Sequence, residues 1–188
     1  MPRQVYEYES PDRFVAGTTG QPGSRTFFLQ ARAGNRLTTV QLEKQQVSVL
    51  AERVDELLDE VLRRSQGNAT VPALAPTRTE DTAPLDTPIE EEFRVGTMSL
   101  AWDGELERVV IECFEAGENL NEDEDELPDN DEDAEGAVLR VSLAGAAARA
   151  FAKRALAVVG AGRPPCPFCT FPLDPEGHIC PRANGYRR

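Results

Sequence analysis

Apolar and polar positions alternate along the first forty residues, the period of two that belongs to strands with one buried face. The alternation marks QVYEYE (4–9), RFVAG (13–17), RTFFLQAR (25–32) and RLTTVQLE (36–43). The last two are joined by Ala33-Gly34-Asn35, a turn signal that predicts a hairpin. From Lys44 to Arg64 the spacing changes to threes and fours. Val47, Leu50, Ala51, Val54, Leu57, Leu58, Val61 and Leu62 make one apolar stripe, while Glu52, Arg53, Glu56, Asp59, Glu60 and Arg63 take the other face. That pattern predicts an amphipathic helix laid on a sheet.

Residues 67–90 are rich in Pro and Thr and have no period, so they read as a linker loop crossing the surface. Strand patterning resumes in EEFRVGTMSLAWD (91–103) and ELERVVIECFEAG (105–117), with Asp103-Gly104 as a second hairpin signal. A further strand, GAVLRVSLA (136–144), leads into a second helix from about Gly145 to Val159, striped by Ala147, Ala148, Phe151, Ala152, Ala155, Val158 and Val159. Residues 39–54 can be laid on 140–155 without gaps, pairing Val40 with Val141, Leu42 with Leu143, Ala51 with Ala152 and Arg53 with Arg154. The expectation is an α+β domain over 1–160, mainly antiparallel, built from two β-β-(β)-α repeats that each end in one amphipathic helix. Residues 161–188 form a separate C-terminal module.

Charge changes this picture in one place. The net charge of −13 is concentrated in residues 118–135, which hold eleven acidic groups and no basic one. Without them, 22 acids face 20 bases, so the body is nearly neutral. The acidic stretch has almost nothing to bury and reads as a disordered insert. The 40% apolar content supports a packed core, and no apolar run reaches membrane-spanning length. The charged start, MPRQVYEYESPDR, lacks a signal-peptide core, so the expected compartment is the cytoplasm, with no membrane partner.

Clustered cysteines in a reducing compartment point to a metal before a disulfide. Cys166, Cys169, His178 and Cys180 fall in a C-x2-C-x8-H-x-C pattern, and the histidine is the chain's only one. Thiolate and imidazole suit tetrahedral zinc, with iron as the alternative ion and a redox dithiol or incidental thiols as the non-metal readings. Cys-Pro-Phe-Cys can close a tight knuckle with both sulfurs on one side, and residues 173–177 carry turn chemistry that sends the chain back. Thr170 stands where a glycine often follows the second cysteine. Four protein ligands close the coordination sphere, so the zinc is expected to be structural. A zinc deaminase would need H-x-E before P-C-x-x-C; here the order is reversed and the glutamate is missing. Cys113, in VVIECFEA, reads as a small core residue.

With His178 given to a metal, no histidine remains for a nucleophile triad, and no catalytic residue is assigned. Two regions carry candidate ligand-binding groups. The loop GTTGQPGSR (17–25) offers backbone amides for an anion, with Arg13, Thr18, Thr19 and Arg25 nearby, although it does not open a helix. The C-terminal module carries Arg163, Arg182, Arg187 and Arg188, following Lys153 and Arg154, and this basic tail suits phosphate, an acidic partner or nucleic acid.

The stretches FVAGTTGQPGSRTFFLQA, VQLEKQQVSVLAERVDELL and GRPPCPFCTFPLDPEGHICPRANGYRR together resemble an actinobacterial family of unknown function, the DUF3090 group. The Cys-x-x-Cys and His-x-Cys elements of that family match Cys166, Cys169, His178 and Cys180. The resemblance implies partners of a histidine-phosphatase-like and a phosphoinositide-kinase-like kind, and it implies no activity. The resulting expectation is a non-catalytic, zinc-containing adaptor or regulator of a phosphoryl-handling protein. An enzyme using the 17–25 loop on a phosphorylated or nucleotide-like substrate is the alternative, and nucleic-acid binding by the tail is a third reading.

Overall fold

The computed structural model describes residues 3–117, 136–163 and 165–171, together with Leu173, His178, Cys180 and Arg182. The acidic insert 118–135 and the tail residues Arg187 and Arg188 lie outside the described residues. After a first strand, β1 (Gln4–Tyr8), the chain forms two successive units. β2 (Arg13–Thr19), β3 (Thr26–Ala33) and β4 (Arg36–Leu42) make an antiparallel meander that enters α1 (Lys44–Arg64) after one residue. β5 (Glu91–Asp103), β6 (Arg108–Glu115) and β7 (Ala137–Ala144) repeat the meander and enter α2 (Gly145–Gly160) directly. Helix starts Lys44 and Gly145 keep the register at which the two stretches of sequence align.

All seven strands share one sheet in the order β1-β7-β6-β5-β4-β3-β2. The expected antiparallel character holds within each unit but not at two joins, so the sheet is mixed. β4 pairs with β5, and β1 pairs with β7, in parallel. The first parallel join follows from setting two like-oriented units side by side, and α1 with the segment after it supplies the long crossover that such a join needs. β1 takes the place beside β7 that β5 takes beside β4. Tyr8 lies opposite Val141 as Phe93 lies opposite Val40, so an aromatic ring fills the equivalent position in each half.

Only four residues separate Tyr8 from Arg13, although β1 and β2 form opposite edges of the sheet. That link reaches about 17 Å, while six strand spacings in a flat sheet span about 29 Å. The sheet is therefore coiled; twist of about 20–25° per strand accumulates to well over a right angle across it. The end of β1 meets the start of β4, where the buried Tyr8 hydroxyl lies 2.8 Å from Thr38 Oγ1.

Both helices cover the same face of the coiled sheet. The buried stripe of α1 is Val47, Leu50, Ala51, Val54 and Leu58, and α2 contributes Ala148, Phe151, Ala152 and Ala155. The small side chains of α2 let it approach closely, and Phe151 stacks on Phe14 of β2 with ring centroids 4.6 Å apart. Burying such a ring stabilises the fold by about 1.5–3 kcal/mol. Arg149 of α2 is buried and ties the helices together through Asp55 at 2.9 Å and Asp59. Cys113 is fully buried among the inner residues of β6, and burial pushes its thiol up to about 12.

The Pro/Thr-rich segment is pinned against the sheet around Leu85 and Asp86. Leu85 buries itself with Val15, Phe28 and Ile89 on the sheet face opposite the helices. Gln30, itself buried, donates to the carbonyl of Asp86 at 2.9 Å and accepts from its amide at 2.8 Å. Gly17 is needed beneath it, since a methyl there would lie 2.5 Å from Leu85 Cγ.

The hairpins differ in how closely they follow their signals. Ala33 pairs with Arg36, leaving Gly34-Asn35 as a two-residue loop with Gly34 at φ +57, where only glycine sits without strain. The hairpin signalled by Asp103-Gly104 also forms, with a four-residue loop between Asp103 and Arg108. The left-handed position falls on Glu107, and Asp103 uses its carboxylate to accept from the amides of Glu105 and Leu106.

Candidate metal centre

Past α2 the chain turns into Cys166-Pro167-Phe168-Cys169, and local hydrogen bonds shape it as a knuckle. The amide of Thr170 donates to the carbonyl of Cys166 at 2.9 Å, and the amide of Cys166 donates to the carbonyl of Phe171 at 2.8 Å. The amide of Phe168 points at Cys166 Sγ, 3.4 Å away. Thr170 adopts φ +64, the left-handed conformation that glycine takes without penalty. Its hydroxyl donates to the carbonyl of Cys169 at 2.6 Å.

The second pair closes on the first. Cys166 Sγ and Cys180 Sγ stand 3.8 Å apart, and Cys169 Sγ lies 3.2 Å from His178 Nε2. All four ligand atoms lie within 4.8 Å of one another. Sulfurs at 3.8 Å are far beyond a disulfide bond of about 2.05 Å, and they match the edge of a tetrahedron with metal–sulfur bonds of about 2.3 Å. The three cysteines are buried with Leu173 packed against them, forming a small core separate from that of the main sheet. Burial raises the thiol of Cys169. At Cys166 burial acts the same way, but amides aimed at its sulfur outweigh it and hold that thiol below its ordinary value. The donor set therefore fits a metal ion with soft-to-borderline preference, held by three sulfurs and one imidazole nitrogen. Such a set leaves no open coordination position and suits a fastener.

The other residues singled out in the sequence are not all brought to one place: Arg163 reaches the glycine loop beside Arg25, but Arg13 does not. Arg13 opens β2 while the glycine loop follows its far end, about 20 Å along the strand. Thr18 and Thr19 are half-buried at that far end. Arg13 is turned inward and saturated: it donates to Asp81 at 2.6 and 3.0 Å, to Asp86 at 3.0 Å, and to the carbonyls of Ala83 and Pro84. Arg154, expected as part of a basic surface, is also internal. It donates to the carbonyl of Ala16 and to Asp81 at 2.8 Å, and Lys153 pairs with Glu80. Arg25 donates to the carbonyl of Val158 at 2.9 Å and lies over the Phe27 ring. Arg163 rests against Gly23, and Arg182 donates to the carbonyl of Phe168 at 3.2 Å.

Two features escaped sequence reasoning. The segment 78–87 closes over a cavity of about 900 Å³ bounded by β2 and α2, with Arg13 and Arg154 joined across it by Asp81. Its carboxylates gave no signal, because their partners lie some 70 residues away in the chain. Phe168 and Phe171 stand 63% and 62% exposed on the knuckle, in sharp contrast to the buried sulfurs beside them. That contrast was available in the motif itself, since a knuckle's non-ligand positions point away from its metal.

Fold and centre together define a two-unit α+β protein with one mixed sheet and a C-terminal Cys3His cluster able to hold a metal ion. The family model described as "Protein of unknown function (DUF3090)" matches residues 6–180, and the chain belongs to that family. No curated protein and no solved structure matches the chain.

Proposed function

We propose that the protein is a non-catalytic adaptor, with structural zinc holding a rigid knuckle that presents Phe168 and Phe171 to a protein partner handling phosphoryl groups. The observation that carries this reading is the exposure of both rings on a knuckle closed by two backbone hydrogen bonds. Aromatic side chains on a preformed loop supply contact area at little cost in conformational entropy, and Arg182 beside them adds a residue type enriched at interfaces. The compartment is the reducing cytoplasm, which keeps the thiolates available to the metal.

The test is a pull-down from the native cell, read by mass spectrometry, with wild type, the Phe168→Ala/Phe171→Ala double variant and Cys166→Ser. A specific partner lost with both variants, while the double variant still holds one zinc, supports the adaptor. Equal capture by wild type and the double variant rules it out.

A second reading rests on the cavity under segment 78–87, which has the size of a small-molecule site and carries Arg32 and Arg78 in its wall beside Arg13 and Arg154. This is an enzyme reading for a phosphorylated substrate at a place other than the 17–25 loop, none of whose residues lines the cavity. Turnover of a phosphoester by wild type, abolished by Arg78→Gln, would establish it in place of the adaptor.

A further inference from the structure

Two cations from separate parts of the chain meet just past the end of α2. Gly162, just past α2, is faced by Arg25 of the β2–β3 loop and by Lys44, the first residue of α1. A methyl group on Gly162 would lie 3.4 Å from Arg25 Nη2 and 3.9 Å from Lys44 Nζ. The two cationic nitrogens are therefore no more than about 7 Å apart, close enough to repel across a partly dry surface. The guanidinium of Arg163 lies against Gly23, whose added methyl would meet it at 3.3 Å. Among the described residues neither Arg25 nor Lys44 is in an ion pair. Glu43, the carboxylate next to Lys44, is committed to the cap of α1 and to Arg94.

The end of α2 explains part of this gathering and leaves the rest. Its last turn has no basic residue, and Arg25 serves the helix end through one nitrogen, Nη1, on the carbonyl of Val158. A helix C-terminus carries about half a negative charge, which a single cation more than balances. Lys44 compounds the excess, since an ammonium at the first position of α1 sits at the positive end of that helix, whose first turn holds no acid. Gly162 leaves a notch between the two charges.

We infer that the notch at Gly162, between Arg25 and Lys44, is a binding site for a phosphate-class dianion. A tetrahedral phosphoryl group offers oxygens in several directions and carries enough charge to meet more than one cation, whereas a carboxylate offers one charge in one plane. The site lies outside the metal clip and outside the cavity under segment 78–87, and it stands independently of the adaptor reading.

Calorimetric titration of the zinc-loaded full chain with inorganic phosphate at fixed ionic strength tests it, with phenyl phosphate as a second probe. Saturable one-to-one binding is expected, weakened at least tenfold by Lys44→Gln and by Gly162→Val. The first removes a charge at an exposed position; the second fills the notch and removes none. Arg53→Gln, on the exposed face of α1, is expected to bind as wild type does. Phenyl phosphate binding alongside phosphate identifies an ester-bearing ligand, and phosphate alone identifies the free ion. No saturable binding by wild type overturns the site. So does full affinity in either notch variant, or an equal loss in Arg53→Gln.

Discussion

Replacing Asp81 by Asn withdraws one negative charge from between two guanidinium groups that the fold has largely removed from water. Arg13 and Arg154 side chains are 9% and 12% exposed, and Asp81 bridges them at 2.6 and 2.8 Å. Breaking one member of a buried ion network costs about 3–5 kcal/mol where the partners are left stranded. The cost here is smaller, because Asp81 is about a third exposed and Arg13 keeps Asp86 and two carbonyls. A loss of about 2 kcal/mol at pH 7 is expected, read as a fall of about 4–8 °C in melting temperature for a chain of this length. The pH dependence distinguishes the charge from mere packing. Arg13 holds the Asp81 carboxyl below its ordinary value of 3.8, so its contribution is complete above that value and disappears as pH falls through the lower folded value. The gap between wild type and Asp81→Asn should therefore stay constant from pH 8 to 5 and close below 3.8. Urea denaturation across that range measures it. A gap under about 0.5 kcal/mol at pH 7, or one unchanged at pH 2, refutes the role given to this carboxylate.

Purified protein should carry about one zinc per chain, and Cys166→Ser should lose it; elemental analysis of both decides this. Thr170→Gly relieves a β-branched residue at φ +64 and should slow zinc transfer to a chelator by up to about fivefold, whereas faster transfer contradicts the strain. Gly17→Ala should destabilise by about 1–3 kcal/mol through its clash with Leu85, and adding Leu85→Ala should cost less than the sum of the two single changes. With the metal removed by chelation, three thiols should react quickly with a disulfide reagent while Cys113 waits for global unfolding; four equal rates would contradict its burial.

What could be read from the sequence was whatever is decided within a few residues. The stripe Val47-Leu50-Ala51-Val54-Leu58 announces α1, and the shared register of residues 39–54 and 140–155 announces that both units end alike. The four metal ligands were legible because thiols and an imidazole have few other reasons to cluster. Pairing between distant strands was not legible: nothing near Val5 says that Val138 will lie beside it. Segment 78–87 was opaque for the same reason, since a stretch without periodicity gains its order from Arg13 and Arg154 in other elements. Even the 101-residue equivalence of Arg53 and Arg154 misleads at the level of chemistry. One is on the surface beside Glu56, and the other is turned inward, half-buried against Asp81.

The parallel seating of β1 against β7 sets an order of events during synthesis. β1 leaves the ribosome more than 130 residues before its only neighbour in the sheet exists. At about 5–20 residues per second it waits roughly 7–27 seconds. Throughout that time the meander of β2, β3 and β4 has α1 at hand, but Tyr8 has no β7 to pack beside. The earliest made of these seven strands is thus the last to be housed, and its arrival closes the second unit from outside. A nascent-chain arrest series should show β1 protected from protease only once residues 137–144 have emerged.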